Sequence, residues 1–146
     1  MKRYPIHFDA RGWSHTIADT DISLVIYFGA VEALIDSAVY TELKVLFPNA
    51  DVLGSSTGTH ILGTKISDVG AVGVAVSFAS SSVRSIALDI ESVDQSYRCG
   101  ACIGQALLRP DLKAIFIICD GLVTDGAEIA RGLSNVLPSN VSVSGA

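Results

Sequence analysis

Residues 113–137, KAIFIICDGLVTDGAEIARGLSNVL, decide the fold class. Residues 114–119 form a continuous apolar run with β-branched side chains, which is typical of a strand buried on both faces. Asp120 and Gly121 end this run. Apolar residues then recur at helical spacing, at Ile129, Leu133, Val136 and Leu137. The stretch therefore predicts a strand, a polar loop and a helix, and open α/β sheets bind their ligands in loops of this kind.

Two helix starts carry capping pairs. Asp125 with Glu128 opens the helix just described, and Pro138 stops it. Ser92 with Gln95 opens an earlier helix that ends before Pro110. The predicted core stripe of this earlier helix consists of Cys99, Cys102, Ile103, Ala106 and Leu107.

The composition indicates one folded domain that does not bind nucleic acid. The chain has 146 residues, 49% of them hydrophobic and 17% charged, which excludes a disordered chain and allows a sizeable core. The formal net charge is -5, and the ten Lys and Arg residues form no run. Nucleic-acid binding needs a basic face that neutralises phosphates, so this class of partner is not expected.

Membrane and secretory signals are not found in the sequence. The longest apolar run, residues 70–79, is far shorter than the roughly 20 residues that a transmembrane helix needs. The N-terminal residues MKRYPIHFDARG lack the apolar segment of a signal peptide. Three cysteines, an odd number, favour reduced thiols, so we expect a cytoplasmic protein.

The N-terminal part predicts a parallel βαβ unit. Residues 1–20 are polar and without periodicity, so we expect an arm with a short edge strand around Ile6. Residues 22–28 (ISLVIYF) predict a strand, residues 31–47 a helix, and Val52 begins a second strand. A strand, helix and strand within about thirty residues place the two strands parallel.

A long hairpin is predicted next, with strands at residues 69–78 and 83–90 around Ser80–Ser82. In the first strand, bulky residues alternate with Ala, Gly and Ser, so one face is nearly bare and allows another layer to approach closely. A final strand is predicted to begin at Val141. The predicted fold class is α/β: a mixed sheet with a parallel βαβ core, an antiparallel hairpin and helices on at least one face. The alternative is a layered αββα sandwich.

Four segments together carry a family resemblance. They are LVIYFG at 24–29, FPNA at 47–50 leading into GSSTG at 54–58, CDGL at 119–122 with Asp125-Gly126, and LP at 137–138 leading into VSG at 143–145. In this order and spacing they resemble the N-terminal half of the FIST (F-box and intracellular signal transduction) sensory domain. The glycine-rich loop and C-terminal half of that family have no counterpart here. The expected organisation is an arm over residues 1–20 and an incomplete FIST-like domain over residues 21–146.

The resemblance implies a non-enzymatic sensory module of bacterial signalling. Its implied ligand is an amino acid or another small polar molecule, and its implied partners are histidine kinases, cyclic-di-nucleotide enzymes or chemoreceptors. Some members of the family bind haem and respond to nitric oxide, so haem is the alternative ligand. A protein-interaction or scaffold module without a small ligand is a further alternative.

The candidate ligand site is the loop at residues 54–63 (GSSTGTHILG), at the carboxyl end of the second strand. Its backbone N–H groups and hydroxyls suit a small anionic or polar ligand, although an ordinary Gly/Ser turn explains the composition equally well. Parallel strands place it on the same sheet edge as Asp120, which we also expect to form an Asx-type turn. The predicted ligand-binding residues are Ser55, Ser56, Thr57, Gly58, Asp120 and Gly121.

Three other chemistries are weighed against simpler explanations. Residues 54–58 fit G-x-S-x-G with Ser56 as a hydrolase nucleophile, but no helix follows cleanly and His60 is the only later histidine. Cys99 and Cys102 form a C-x-x-C motif about two turns into a helix, where buried structural thiols are favoured over redox chemistry. His7, His15 and His60 are the candidate haem ligands, and His60 lies in the ligand loop.

Overall fold

The computed structural model of the chain describes residues 1–14, 17, 21–35 and 38–145. The described chain divides into two compact units, Met1–Val83 and Arg84–Ala146, and each is described by itself. In both units, strands and helices follow one another as in an α/β fold, which confirms the predicted class. None of the helices in the described ranges is long and apolar enough to cross a membrane.

The first unit is built on a mixed sheet. In chain order its elements are β1 (Lys2–Asp9), β2 (Gly12–Trp13), β3 (Leu24–Gly29), α1 (Val31–Leu34), α2 (Ala38–Leu46), β4 (Asp51–Ser56), β5 (His60–Leu62), β6 (Lys65–Ser67) and β7 (Ala71–Ser77). Among the described residues, five of these strands form one sheet in the order β2-β1-β7-β3-β4. β3 and β4 are parallel, which confirms the predicted βαβ unit, and the other pairs are antiparallel. The predicted single helix over residues 31–47 is represented by α1 and α2, with residues 36 and 37 outside the described ranges.

The N-terminal segment contains more regular structure than the expected arm with a short edge strand. β1 pairs with β7 from Lys2 opposite Ser77 to Phe8 opposite Ala71, and Ile6 is buried. Pro5 fits in this strand because β2 pairs with β1 only at Phe8 and Asp9, so the missing N–H removes no bond to β2.

The predicted hairpin between residues 69–78 and 83–90 is wrong in its second strand. β7 forms as expected, but residues 80–92 of the described chain contain no strand. The reason is that both sides of β7 are occupied, one by β1 and the other by β3. The antiparallel partners of β7 are therefore β1 and β3, which both precede it in the chain.

The bare face of β7 lies in the core, as its pattern predicts. Ala71 and Ala75 are buried in one cluster with Val39 and Leu43 of α2. The small side chains allow the helix to approach the sheet closely. Trp13 closes this core, because its indole N–H donates to the Val39 carbonyl at 2.9 Å.

The second unit pairs two helices with a short parallel sheet. Its elements are a 3-10 helix (Val93–Gln95), α3 (Ser96–Leu107), β8 (Ala114–Ile117), α4 (Gly126–Val136) and β9 (Ser142–Gly145). β8 and β9 are parallel, and Ile115 is buried with Ile129 and Leu133 of α4. Phe116, on the opposite face of β8, is 44% exposed, so the prediction that this strand is buried on both faces is wrong. Both helices contact the Ile115 side.

The two capping predictions have different outcomes. Asp125 caps α4, and its side chain accepts from the N–H groups of Ala127 (2.9 Å) and Glu128 (3.2 Å). The pair at Ser92 does not form as predicted. The Ser92 side chain makes no cap hydrogen bond, and the Gln95 side chain accepts instead from the N–H of Glu91 at 3.2 Å.

The buried stripe of α3 differs from the predicted one. Ser96, Gly100 and Gly104 are its buried residues, whereas Cys99 is half-buried and Cys102 is exposed. The expectation of a buried Cys102 is therefore wrong. Small residues occupy the interface because α3 and α4 meet through their backbones, so the thiols lie to the side of the contact.

Candidate functional site

The candidate site in the first unit is the carboxyl end of the parallel pair β3 and β4. Gly29, the last residue of β3, lies opposite Ser56, the last residue of β4. The N–H of Thr57 then donates to the Gly29 carbonyl at 2.8 Å, which extends the pairing by one residue into the loop. The polar loop therefore begins at a fixed position on the edge of the sheet where α/β domains bind ligands.

The hydroxyl groups of this loop differ in their hydrogen bonds. Ser55 Oγ donates to the Ser56 carbonyl at 3.4 Å, and Thr57 Oγ1 donates to the Thr59 carbonyl at 3.0 Å. Ser56 is exposed, and its hydroxyl has no hydrogen bond to any described residue. Ser56, like the exposed Thr59, is thus a hydroxyl of the loop that is available to an external partner.

Two glycines of the loop have opposite surroundings. A Cβ atom at Gly54 would overlap the ring of Tyr27, so Gly54 is required by the packing of the sheet. A Cβ atom at Gly58 would meet nothing within 4 Å. The space beside Gly58 is therefore open, and the fold does not require a glycine there.

The side chain of His60 is buried and does not lie on the exposed surface of the loop. It is 8% exposed, and its Nδ1 is buried without a hydrogen-bond partner among the described residues. An unpaired buried polar atom is unfavourable by about 1–3 kcal/mol. Its pairing partner across the small β5–β6 sheet is Ser67.

His60 does not fit a haem site as the structure places it. An axial ligand must present a ring nitrogen to the iron in a wide apolar pocket. His60 is enclosed, and it lies between Thr59 and Ile61 in the chain. In His7, Nδ1 is hydrogen-bonded to Ser14 Oγ at 2.7 Å. His15 lies outside the described residues.

The surroundings of Ser56 also differ from those of a hydrolase nucleophile. A nucleophile elbow requires a strand, a sharp turn and a helix, whereas β4 is followed by strand β5. A catalytic histidine is oriented by an acid at its second nitrogen, and Nδ1 of His60 has no such partner in the described chain.

The Asp120 loop belongs to the second unit. Asp120 Oδ1 accepts from the N–H of Leu122 at 2.9 Å, and the Asp120 carbonyl accepts from Thr124 Oγ1 at 2.6 Å. These bonds form the Asx-type turn that the sequence predicts. A Cβ atom at Gly121 would meet nothing within 4 Å, so this loop too has open space beside it.

The predicted site residues therefore fall into two groups. Ser55, Ser56, Thr57 and Gly58 lie together at the end of β4, and Asp120 with Gly121 lies after β8. That the two groups serve one ligand remains a prediction from the sequence. The structure adds Gly29, whose carbonyl holds Thr57, and Ala30, whose N–H donates to Gly70 at 2.9 Å. The sequence contains a signal for this pair, because Gly29 and Ala30 stand between the first predicted strand, residues 22–28, and the predicted helix.

Together these features define an α/β domain with a polar loop at the carboxyl end of its parallel strands. A family model, that of the FIST N domain, matches residues 23–146. The chain belongs to the FIST family, which comprises sensory domains of signal-transduction proteins. Comparison with curated proteins and with solved structures gave no significant match.

Proposed function

We propose that this chain is the small-molecule-sensing part of a bacterial signal-transduction protein and acts in the cytoplasm without catalysing a reaction. Membership of a sensory family supports the general role. The proposed ligand is an amino acid or another small polar molecule, because the candidate loop offers hydroxyls and backbone N–H groups rather than an apolar surface.

The proposal depends most on two residues that lie close together in the chain, Ser56 and Gly58. The Ser56 hydroxyl is exposed and has no partner in the described chain, and the space beside Gly58 is open. Ser56 is the last residue of the parallel strand pair, and Gly58 follows it by two positions. A ligand bound here would accept from or donate to Ser56 and lie against the backbone at Gly58.

Asp120 and Gly121 are proposed as further ligand contacts. Asp120 uses Oδ1 for its turn. Its other oxygen is proposed to accept from an ammonium or hydroxyl group of the ligand. The signalling partner proposed from the family resemblance is a histidine kinase or a cyclic-di-nucleotide enzyme.

The test is a thermal-shift screen of the chain against amino acids, small carboxylates, nucleotides and hemin. A ligand that binds only the native state raises the unfolding free energy by about 2.7 kcal/mol at a hundredfold excess over Kd. We expect an amino acid or small carboxylate to raise Tm, and we expect Ser56→Ala and Gly58→Val to weaken its binding. Ser134→Ala, which changes an exposed serine of α4, is the matched control and should leave binding unchanged.

The other outcomes distinguish the alternatives. A Soret band from bound hemin that is lost in His60→Ala would replace the proposal with haem sensing. No response to any compound would favour the scaffold module. Esterase activity that is lost in Ser56→Ala would make the chain a hydrolase.

A further inference from the structure

The second unit contains all three cysteines of the chain, and the proposed sensing site uses none of them. Cys99 and Cys102 are free thiols on α3, half-buried and exposed respectively. Cys119 follows β8, is half-buried, and packs against the apolar cluster around Ile115. Burial raises the pKa of the Cys99 thiol, and the nearby Cys102 and Cys119 thiols raise it further.

The helical spacing brings Cys99 and Cys102 within range of a disulfide. From the rise and radius of an α-helix, residues three apart have Cα atoms about 5 Å from each other. Disulfides join residues whose Cα atoms are roughly 4.4–6.8 Å apart. The Cβ atoms of such a pair stand about 5–6 Å apart, whereas a disulfide needs about 3.5–4.5 Å, so closure requires the turn to tighten locally.

We propose that Cys99 and Cys102 are a redox-active dithiol that closes to a disulfide on reaction with a low-molecular-weight disulfide such as oxidised glutathione. The two protein thiols lose two electrons and two protons. The small disulfide accepts them and is reduced to two small thiols. The class of modification is thus reversible thiol oxidation, independent of ligand binding at the Ser56 loop.

The solvent exposure of the two thiols determines which of them reacts first. The thiolate of Cys102, which is exposed, attacks a sulfur of the small disulfide, whose S–S bond breaks and releases one small thiol. The thiolate of Cys99 then attacks the sulfur of Cys102, forms the internal disulfide and releases the second small thiol. Because the pKa of Cys99 is raised, this second step is expected to accelerate as the pH rises.

The closure is expected to act on the contact between α3 and α4. Gly100 lies between the two cysteines, and a Cβ atom there would overlap the carbonyl oxygen of Ile129 on α4. A tighter turn at Gly100 therefore changes the contact with Ile129. Oxidation should make the amides around Ile129 exchange faster with solvent, and reduction should restore them.

The sequence provides a direct peptide assay. Trypsin cleaves after Arg98 and Lys113 but not between Arg109 and Pro110, so Cys99 and Cys102 share the peptide 99–113. Cys119 falls in the next peptide, 114–131. After treatment with oxidised glutathione and alkylation of remaining thiols, we expect peptide 99–113 to be unalkylated and lighter by two hydrogens.

The variants make the assignment specific. Cys119→Ser should form the same product, whereas Cys102→Ser should lose it entirely while keeping the far-UV spectrum of the folded chain. A cross-link between peptides 99–113 and 114–131 would overturn the proposal. So would glutathione that remains on Cys102, or three alkylated thiols after treatment.

Discussion

Gly132 of α4 lies directly against the backbone of Tyr97 on α3, so close that a Cβ atom at position 132 would overlap the Tyr97 carbonyl oxygen. Gly100 of α3 meets the carbonyl of Ile129 in the same way from the other side. The two helices therefore pack backbone to backbone. The backbone groups cannot move aside as a flexible side chain would, so the fit of this helix pair depends on the two glycines.

Gly132→Ala is expected to lower the free energy of unfolding of the chain. Overpacking a tight contact is unfavourable by about 1–3 kcal/mol, which exceeds the gain in helix propensity of about 1 kcal/mol. Urea unfolding followed by far-UV circular dichroism measures the change. The matched control is Gly126→Ala at the first position of the same helix, where the new methyl group meets nothing within 4 Å. This control should be stabilising by about 0.4–1 kcal/mol. Equal effects of the two substitutions would contradict the close contact.

Ser96→Ala is expected to weaken the start of α4. Ser96 is fully buried, and its Oγ accepts from the N–H of Asp125, the capping residue of α4, at 2.9 Å. Without Oγ this half-buried N–H loses its partner, which is unfavourable by about 1 kcal/mol. Hydrogen exchange at Asp125 and the urea midpoint report the loss. Ser134→Ala is the control, because that exposed hydroxyl donates only to a carbonyl of its own helix and should change the midpoint little.

The parallel strands β3 and β4 and the polar loop at their end could be predicted, because the sequence pattern that indicates them is local. The apolar residues of β3 end before Gly29, and the hydroxyl residues begin at the last two positions of β4. The second hairpin strand was wrong for a non-local reason. Which strands flank β7 depends on pairing with Lys2–Asp9, about seventy positions earlier. In that strand Tyr4, Ile6 and Phe8 alternate with more polar residues and pack in the core, a short period of two that the prediction of a polar arm missed.

The stripe of α3 shows a second limit of hydrophobic patterns. A pattern search favours cysteine and alanine as core residues, yet Gly100 and Gly104 occupy the interface, where Gly100 lets the helix backbones meet and Gly104 leaves room for the Val136 side chain. The spacing of these two glycines, four residues apart, is the signal in the sequence that indicates such a contact.

His60→Phe is expected to be stabilising by about 1 kcal/mol, because it replaces a buried ring whose Nδ1 has no partner in the described chain with an apolar ring of similar size. The same substitution at His7 is the control. There Nδ1 is bonded to Ser14 Oγ at 2.7 Å, so His7→Phe should be destabilising. Thermal unfolding measures both variants. Hydrogen exchange of the β5 amides measures the local effect of His60→Phe. A destabilised His60→Phe would indicate that Nδ1 has a partner, such as an internal water.

Tyr27→Phe is expected to remove part of the alkaline instability of the chain. Burial, and to a lesser extent the charge of Tyr40, raises the pKa of Tyr27 above its ordinary value of 10.0. A group whose folded-state pKa is raised contributes stability that is fully present below its unfolded-state pKa. That contribution is lost as the pH rises through the folded-state pKa. The wild-type chain should therefore lose stability above about pH 10, and Tyr27→Phe should lose less.

Trp13 provides the readout, since it is the single tryptophan of the chain and its ring lies 6.1 Å from that of Tyr27 in an edge-to-face arrangement. Urea midpoints from its fluorescence at about pH 8 and pH 11 give the pH dependence of each variant. Tyr40→Phe should reduce the pH dependence of the urea midpoint by less than Tyr27→Phe does. The reason is that Tyr40 contributes less than burial does to the raised pKa of Tyr27. Parallel pH profiles for the wild type and Tyr27→Phe would show that the phenol of Tyr27 is as well solvated in the folded chain as in the unfolded one.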